Sequence, residues 1–312
     1  MDIDAMALDG SVARATVRRL SRRSDARGLL QLGAHTGLLA ATTLLLAASR
    51  GRAWLPAAVL AQGIILTFLF CALHESIHRT AFATRAANDV VAWVCGTLLM
   101  LPPQYFRCFH FAHHRFTQDP QRDPELASPP LTTLASYLWR VSGLPYWRER
   151  LTVTLRHALT GQVTESFVPA EKRAVIVREA RTLWGCYLCV LAASLYFSTA
   201  DALLFWVLPA LLGQPFLRLF LLAEHTGCAL NNDMLINTRT TYTNGALRLL
   251  TWRMPYHAEH HLLPSVPFHA LARVNALLGE RTRTSAPGYL AMHCSLVRQL
   301  RATRRGARLP AR

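Results

Sequence analysis

The chain alternates between long apolar runs and short polar breaks. Residues 29–49 (LLQLGAHTGLLAATTLLLAAS) and 53–73 (AWLPAAVLAQGIILTFLFCAL) are each long enough to cross a bilayer, which takes about 20 apolar residues. Only Arg50-Gly51-Arg52 separates them, so the pattern predicts a helical hairpin. Residues 183–200 and 202–223 repeat the arrangement, with Asp201 at the turn. Residues 90–106 are apolar but shorter and run into Pro102-Pro103, which predicts an interfacial or partly buried helix rather than a full span. Tyr137, Trp139, Tyr146 and Trp147 give residues 131–147 an interfacial character. Residues 148–182 are polar and charged, and 262–278 read as an amphipathic helix.

Histidines gather where these runs end. His74-Glu75-Ser76-Ile77-His78 closes the second span, on an expected extension of its helix. His110-Phe111-Ala112-His113-His114 follows the short apolar segment, His225 stands at the exit of the last span, and His257-Ala258-Glu259-His260-His261 comes later. Residues at i, i+3 and i+4 share a helix face. The spacing therefore predicts that His110, His113 and His114 converge, as do His257, His260 and His261, with His74 and His78 forming a pair. Nine imidazoles exceed the four or so ligands of one zinc ion and suit two iron ions. His35, His157, His269 and His293 stand alone and are expected to have packing or surface roles.

Composition places the apolar runs in a membrane. Hydrophobic residues make up 52% of the 312 and charged residues only 17%, while the net charge is +16. Nearly all of that charge is arginine, since Lys172 is the only lysine. The N-terminal flank, the 140–181 region and the C-terminal end are basic and the hairpin turns are short. The positive-inside rule then puts both termini and all nine histidines in the cytoplasm. A third full span at 90–106 would place His110 opposite His74 and divide the site. The chain divides into a basic N-terminal flank (1–28), one membrane domain (29–280) and a basic tail (281–312), disordered from about Arg298. No reader motif accompanies the arginines, which disfavours nucleic-acid binding. The seven cysteines form no disulfide framework and fit a reducing compartment. Cys186 and Cys189 read as small buried residues of a membrane helix.

HESIH at 74–78, HFAHH at 110–114 and HAEHH at 257–261, with TQDPQRDPE after the second box and WRMPYHAEHHLLPSVPFHAL around the third, resemble the membrane fatty acid desaturase and hydroxylase superfamily, bacterial type, over roughly residues 55–275. The resemblance implies an all-α integral membrane protein: a bundle of four transmembrane helices, paired as two hairpins, with a cytoplasmic helical cap holding a di-iron site. It carries the role of iron ligand to His74, His78, His110, His113, His114, His257, His260 and His261. A further ligand histidine of that superfamily corresponds to His225. The superfamily's nearby asparagine is replaced by Leu221, and Glu224 is expected to hold a water there instead. Glu75, Asp119, Asp123, Glu125 and Glu259 are expected to hydrogen-bond the outer nitrogens of ligating imidazoles, or else to be solvated charges. Asn237, Arg239, Trp252 and Tyr256 are expected to line or pack the site.

The implied reaction is an O2-dependent desaturation of an acyl chain in a lipid. Hydroxylation, ketone formation and desaturation of a non-acyl metabolite are alternatives on the same scaffold. No cytochrome b5 motif or four-cysteine cluster spacing is present, so electrons are expected from a separate ferredoxin-like protein, drawn to the basic face. The composition points to the inner membrane of a bacterium. Two rivals remain. HESIH fits the HExxH zinc signature, but the later aspartate motif of an intramembrane protease is missing, since Leu8-Asp9-Gly10 precedes the first span. A metal transporter would hold its sites near the bilayer midplane, whereas these clusters lie outside the apolar runs.

Overall fold

A computed structural model describes residues 14–304 of the chain. Leu8-Asp9-Gly10 and the first part of the N-terminal flank lie outside those residues. A short helix α1 (Arg14–Leu20) precedes α2 (Asp25–Ala48), which Ser24 caps by accepting the Arg27 amide. Next come α3 (Leu55–Thr67) and α4 (Leu69–His78), joined at Phe68, so that Leu55–His78 counts as one span ending on the first histidine pair. Arg79 then turns left-handed (φ 60°) and stops the helix.

Among the described residues, three helices are long and apolar enough to cross a membrane: α2, the Leu55–His78 pair and Leu203–His225. The last begins with a π-helical turn at Leu203–Val207 and continues as α10 (Leu208–His225). A fourth candidate is the pair α5 (Arg85–Leu98) and α6 (Pro103–Phe116), counted together, which is bent by 98°. Between those come α7 (Leu134–Val141), α8 (Leu144–Thr160) and α9 (Arg173–Tyr196). The expected span at 183–200 is the C-terminal part of α9. The charged start of that helix makes it less apolar than the three clear spans. Leu188, Leu191, Leu195 and Tyr196 nevertheless expose large apolar surface, as do Leu29, Leu30 and Leu44 on α2 and Leu211 and Leu212 on α10. Such a belt needs lipid to cover it, and the protein is integral to the membrane. Cys186 and Cys189 sit on the exposed side of α9, not in the packed interior as expected.

The helices approach closely where small residues allow it. A Cβ at Gly213 of α10 would lie 2.0 Å from the carbonyl oxygen of Gly63 on α3, so the two backbones touch there. Gln62 bridges to Thr43 Oγ1 at 3.0 Å and to the Phe205 carbonyl at 3.3 Å, tying α2, α3 and the start of the last span. At the turns, Arg50 pairs with Asp201.

The bend between α5 and α6 falls within residues 90–106. Met100 takes φ +53°, Leu101 donates to the Gly96 carbonyl at 2.8 Å, and Pro102-Pro103 cannot continue α5. Glu179 of α9 accepts the Gln104 amide at 3.0 Å, supplying the partner that the first turn of α6 lacks. The chain folds back, and α6 returns to α4.

The remaining helices are α11 (Met234–Asn237), α12 (Gly245–Leu250), α13 (His257–Leu262), α14 (Leu271–Leu278) and α15 (Tyr289–Arg304). The fold departs from purely helical at one point, a two-stranded parallel pair, β1 (Thr240–Thr241) with β2 (Ser285–Ala286). The expected tail is also corrected. Met292, Leu296 and Leu300 recur every four residues and bury α15 against Tyr137 and Ala223. The folded unit therefore runs past residue 280, and residues 298–304 are helical.

Candidate metal centre

Nine histidine rings meet where α4, α6, α10 and α13 converge, and all are buried or half-buried. They fall into two sets, in each of which one ring nitrogen per residue lies within 4.8 Å of the others. His74, His78, His110, His114 and His260 form one; His113, His225, His257 and His261 form the other. The boxes thus do not each serve one centre, as the shared-face argument predicts. Residues i and i+3 lie 60° apart around a helix and i and i+4 lie 40° apart on the opposite side, from the ~100° advance per residue. In α6 the i, i+4 pair His110 and His114 joins the first set while His113 turns to the second. In α13 the pair His257 and His261 joins the second set while His260 reaches the first. Two helices therefore straddle both sets.

The ring nitrogens face one another. His74 Nε2 is 2.7 Å from His110 Nε2, which is 2.9 Å from His114 Nε2, which is 3.1 Å from His260 Nε2. In the second set His225 Nε2 is 3.2 Å from His113 Nε2 and 3.1 Å from His257 Nε2. Neutral imidazoles cannot satisfy such convergence among themselves, because each has one proton. His78 Nε2 and His261 Nε2 are buried without any hydrogen-bond partner. A metal–imidazole bond of about 2.1 Å, the zinc value, would place adjacent ligand atoms on one ion about 3 Å apart. The residues fit a metal ion in each set. Burial holds His257, His260 and His261 well below the ordinary histidine range, with neighbouring imidazoles adding to the effect, so these rings are neutral and offer lone pairs.

The outer nitrogens separate the expected supporting acids. His113 Nδ1 donates to Asp123 Oδ1 at 2.9 Å, and Asp123 is itself fixed by the Gln118 amide at 2.8 Å. Glu125 comes within 3.9 Å of the same nitrogen. Glu224 Oε1 lies 3.4 Å from His257 Nδ1, too poorly placed to bond it. Asp119 does not reach a box histidine: it binds the Arg122 guanidinium at 2.6 Å and the Gln121 amide at 3.0 Å, making the turn after the second box. Glu75 and Glu259, each next to a box histidine, point away from the rings. Glu75 bonds Thr80 Oγ1 at 2.8 Å and the Phe268 amide at 3.2 Å. Glu259 bonds Thr240 Oγ1 at 2.7 Å and Asn275 Nδ2 at 2.6 Å. These two acids fasten the box helices to neighbouring segments of the chain.

Two supports come from residues to which sequence reasoning gave no contact with a box histidine. Thr117 Oγ1 is 3.1 Å from His261 Nδ1, and the Asn237 carbonyl is 3.2 Å from His225 Nδ1. Thr117 is visible only as the residue after the α6 boundary, and a backbone carbonyl leaves no trace in residue identity. Arg239 clamps the end of α10 through the Ala223 and Thr226 carbonyls at 2.6 and 2.9 Å. Trp252 is packed, fully buried, with its indole 3.3 Å from His35 Nδ1. His35, His157, His269 and His293 stand outside both sets.

The fatty acid desaturase family model matches residues 52–293. Dihydrorhizobitoxine desaturase of Bradyrhizobium elkanii is 26% identical over 258 residues, 76% of this chain and 70% of that protein. A rice sphingolipid delta(4)-desaturase DES1-like protein is 27% identical across 68% of this chain and 60% of its own length. Delta(12) fatty acid desaturase of Mortierella isabellina is 31% identical over 111 residues, 32% of this chain and 27% of that protein. Apolar spanning helices crowned by paired polyhistidine sets define a membrane-bound, metal-dependent class of oxidoreductase. Within that class, the chain belongs to the fatty acid desaturase family.

Proposed function

We propose that this chain is an O2-dependent di-iron desaturase that introduces a double bond into an acyl chain. The observation that carries the reading is the convergence of nine histidines into adjacent sets of five and four at one end of the apolar helices. Neither set fills the coordination sphere of an octahedral ion. Iron held there would supply O2 activation and removal of hydrogen from an unactivated C–H bond. The balance is one substrate CH2–CH2 unit, one O2, two electrons and two protons giving one CH=CH unit and two waters. The electrons come from a separate ferredoxin-like donor. The protein's own part is to hold neutral imidazoles in fixed directions, through Asp123, Thr117 and the Asn237 carbonyl, and to keep water from the reacting carbon.

Four spans arranged as two hairpins support the site, with α9 completing the second. The Arg50–Asp201 pair brings both hairpin turns together, and the histidines lie at the other end, on the cytoplasmic side of a bacterial inner membrane.

A second reading is favoured by one observation: the Bradyrhizobium relative aligns over most of both chains and is named for dihydrorhizobitoxine rather than for a fatty acid. Desaturation of a non-acyl metabolite is then the reaction. Mass spectrometry of lipid and polar extracts from a host expressing the chain with a ferredoxin system, against His260→Ala, tests both. A lipid product lighter by two hydrogens and absent from the variant is expected. The same change confined to a polar metabolite selects the second reading. A product heavier by one oxygen overturns desaturation.

A further inference from the structure

Away from the histidines, a second group of polar side chains is buried without partners. Gln214, on α10, is 1% exposed, and neither its amide nitrogen nor its amide oxygen has a hydrogen-bond partner. One turn further along α10, Arg218 has a buried Nε without a partner. Its guanidinium stands 4.7 Å from the centre of the Tyr146 ring on α8. Arg150, 5% exposed, sits 5.9 Å from the same ring, and its Nε is also unpartnered. Trp147 stacks edge-on against Tyr146 at 5.1 Å, and its indole N–H is buried and unbonded. Gln214 packs on Gly143, where a Cβ would come within 2.6 Å of the Gln214 side chain. Gly143 is the N-cap of the 17-residue α8 and brings no capping side chain, so the positive end of that helix opens on the same spot.

Buried polar groups are almost always paired, and leaving one unpaired in an apolar surrounding is costly. Here five such atoms, four of them donors, lie on Gln214, Arg218, Arg150 and Trp147, with both guanidinium groups and Trp147 beside the Tyr146 ring and Gln214 against the N-terminus of α8. Glu125 and buried Glu224 lie within electrostatic reach of Arg218, but among the described residues neither forms an ion pair with it. Glu149 is half exposed and pairs with Arg150, and Glu125 approaches His113. The missing partner is an anion. Planar, bidentate acceptors suit arginine best.

We propose that Gln214, Arg218 and Trp147, gathered on Tyr146 at the start of α8, form a buried subsite for a substrate carboxylate. Position supports this role. Residues 214, 218 and 225 fall on one stripe of α10, and Arg218 precedes His225 by seven residues, roughly 10 Å of helix. A chain held by its acid end at Arg218 extends along that stripe, past Leu221, toward the histidine sets. The unpartnered Gln214 carbonyl oxygen can in addition accept from an α-ammonium group. Two sources share this chemistry, a free fatty acid and an amino-acid-like acid. The inference rests on the desaturase reading for the word substrate, but its test needs neither O2 nor electrons.

The experiment is anaerobic binding of radiolabelled decanoate and 2-aminodecanoate to the iron-loaded full chain in zwitterionic nanodiscs, with iron content measured in parallel. Saturable binding of at least one acid is expected, with methyl decanoate competing at least about 10-fold more weakly. Arg218→Gln should weaken binding about 10-fold or more at unchanged iron content, and Arg218→Lys should recover part of it. Preferred binding of 2-aminodecanoate identifies the amino-acid-like source, and preferred binding of decanoate the fatty acid. Equal competition by the ester, unchanged affinity in Arg218→Gln, or no saturable binding of either acid overturns the subsite. If Arg218→Gln does not fold, Trp147→Phe, which removes one N–H and little volume, must still weaken acid binding by several-fold.

Discussion

The five-histidine and four-histidine sets share two helices and lie side by side, yet they are held differently. In the four-histidine set three outer nitrogens have partners: Asp123 for His113, the Asn237 carbonyl for His225 and Thr117 for His261. In the five-histidine set the Nδ1 atoms of His74, His114 and His260 are buried with none. Rings of the first kind are oriented by bonds, and rings of the second kind by packing alone. Outer partners of ligating imidazoles commonly change affinity or activity 10- to 100-fold. The two sites should therefore bind iron with different strength, the four-histidine site being firmer, although it has fewer ligands.

The sharpest way to break this comparison removes one ligand from each set. His260→Ala should abolish turnover and leave about one iron per chain, held by the intact four-histidine set and slow to leave in a chelator. His225→Ala should also abolish turnover, but its remaining iron should leave faster. Equal retention, measured by elemental analysis through a chelation time course, would erase the proposed difference. Both variants should still insert in the membrane.

A smaller effect is expected from the supports. Asp123→Asn leaves His113 with a weaker, neutral partner, and activity or iron affinity should fall roughly 10- to 100-fold. Thr117→Val removes one hydrogen bond to a single ring, and a loss of several-fold is expected. If Thr117→Val proves the more damaging, a carboxylate is not the main anchor of the second set. The smallest effect belongs to Glu259→Gln. This residue lies between two ligands in sequence but touches no ring, bonding Thr240 and Asn275 instead. Iron content should be unchanged and thermal stability modestly reduced. Loss of iron in this variant would reassign Glu259 to the rings.

Much of this arrangement is legible in residue order. The apolar runs mark the spanning helices because burial in lipid needs length and apolarity and little else. The boxes mark the histidines that converge, because imidazoles at i and i+4 have few other reasons to recur. Three features were not legible. The division of each box between two sets depends on how α6 and α13 are rotated against each other, and no spacing rule contains that angle. The acids next to ligands looked like supports, but Glu75 and Glu259 emerge from the opposite side of their helices, so adjacency in sequence misleads. The last helix was hidden by its arginines. Its apolar stripe of Met292, Leu296 and Leu300 is narrow, and a basic segment near a terminus reads as a tail.

With the two hairpins proposed above, the 98° turn between α5 and α6 would spare the imidazoles of the second box a crossing of the hydrocarbon. On that proposed topology, insertion of the apolar helices and loading of the histidine sets with iron would be separate steps.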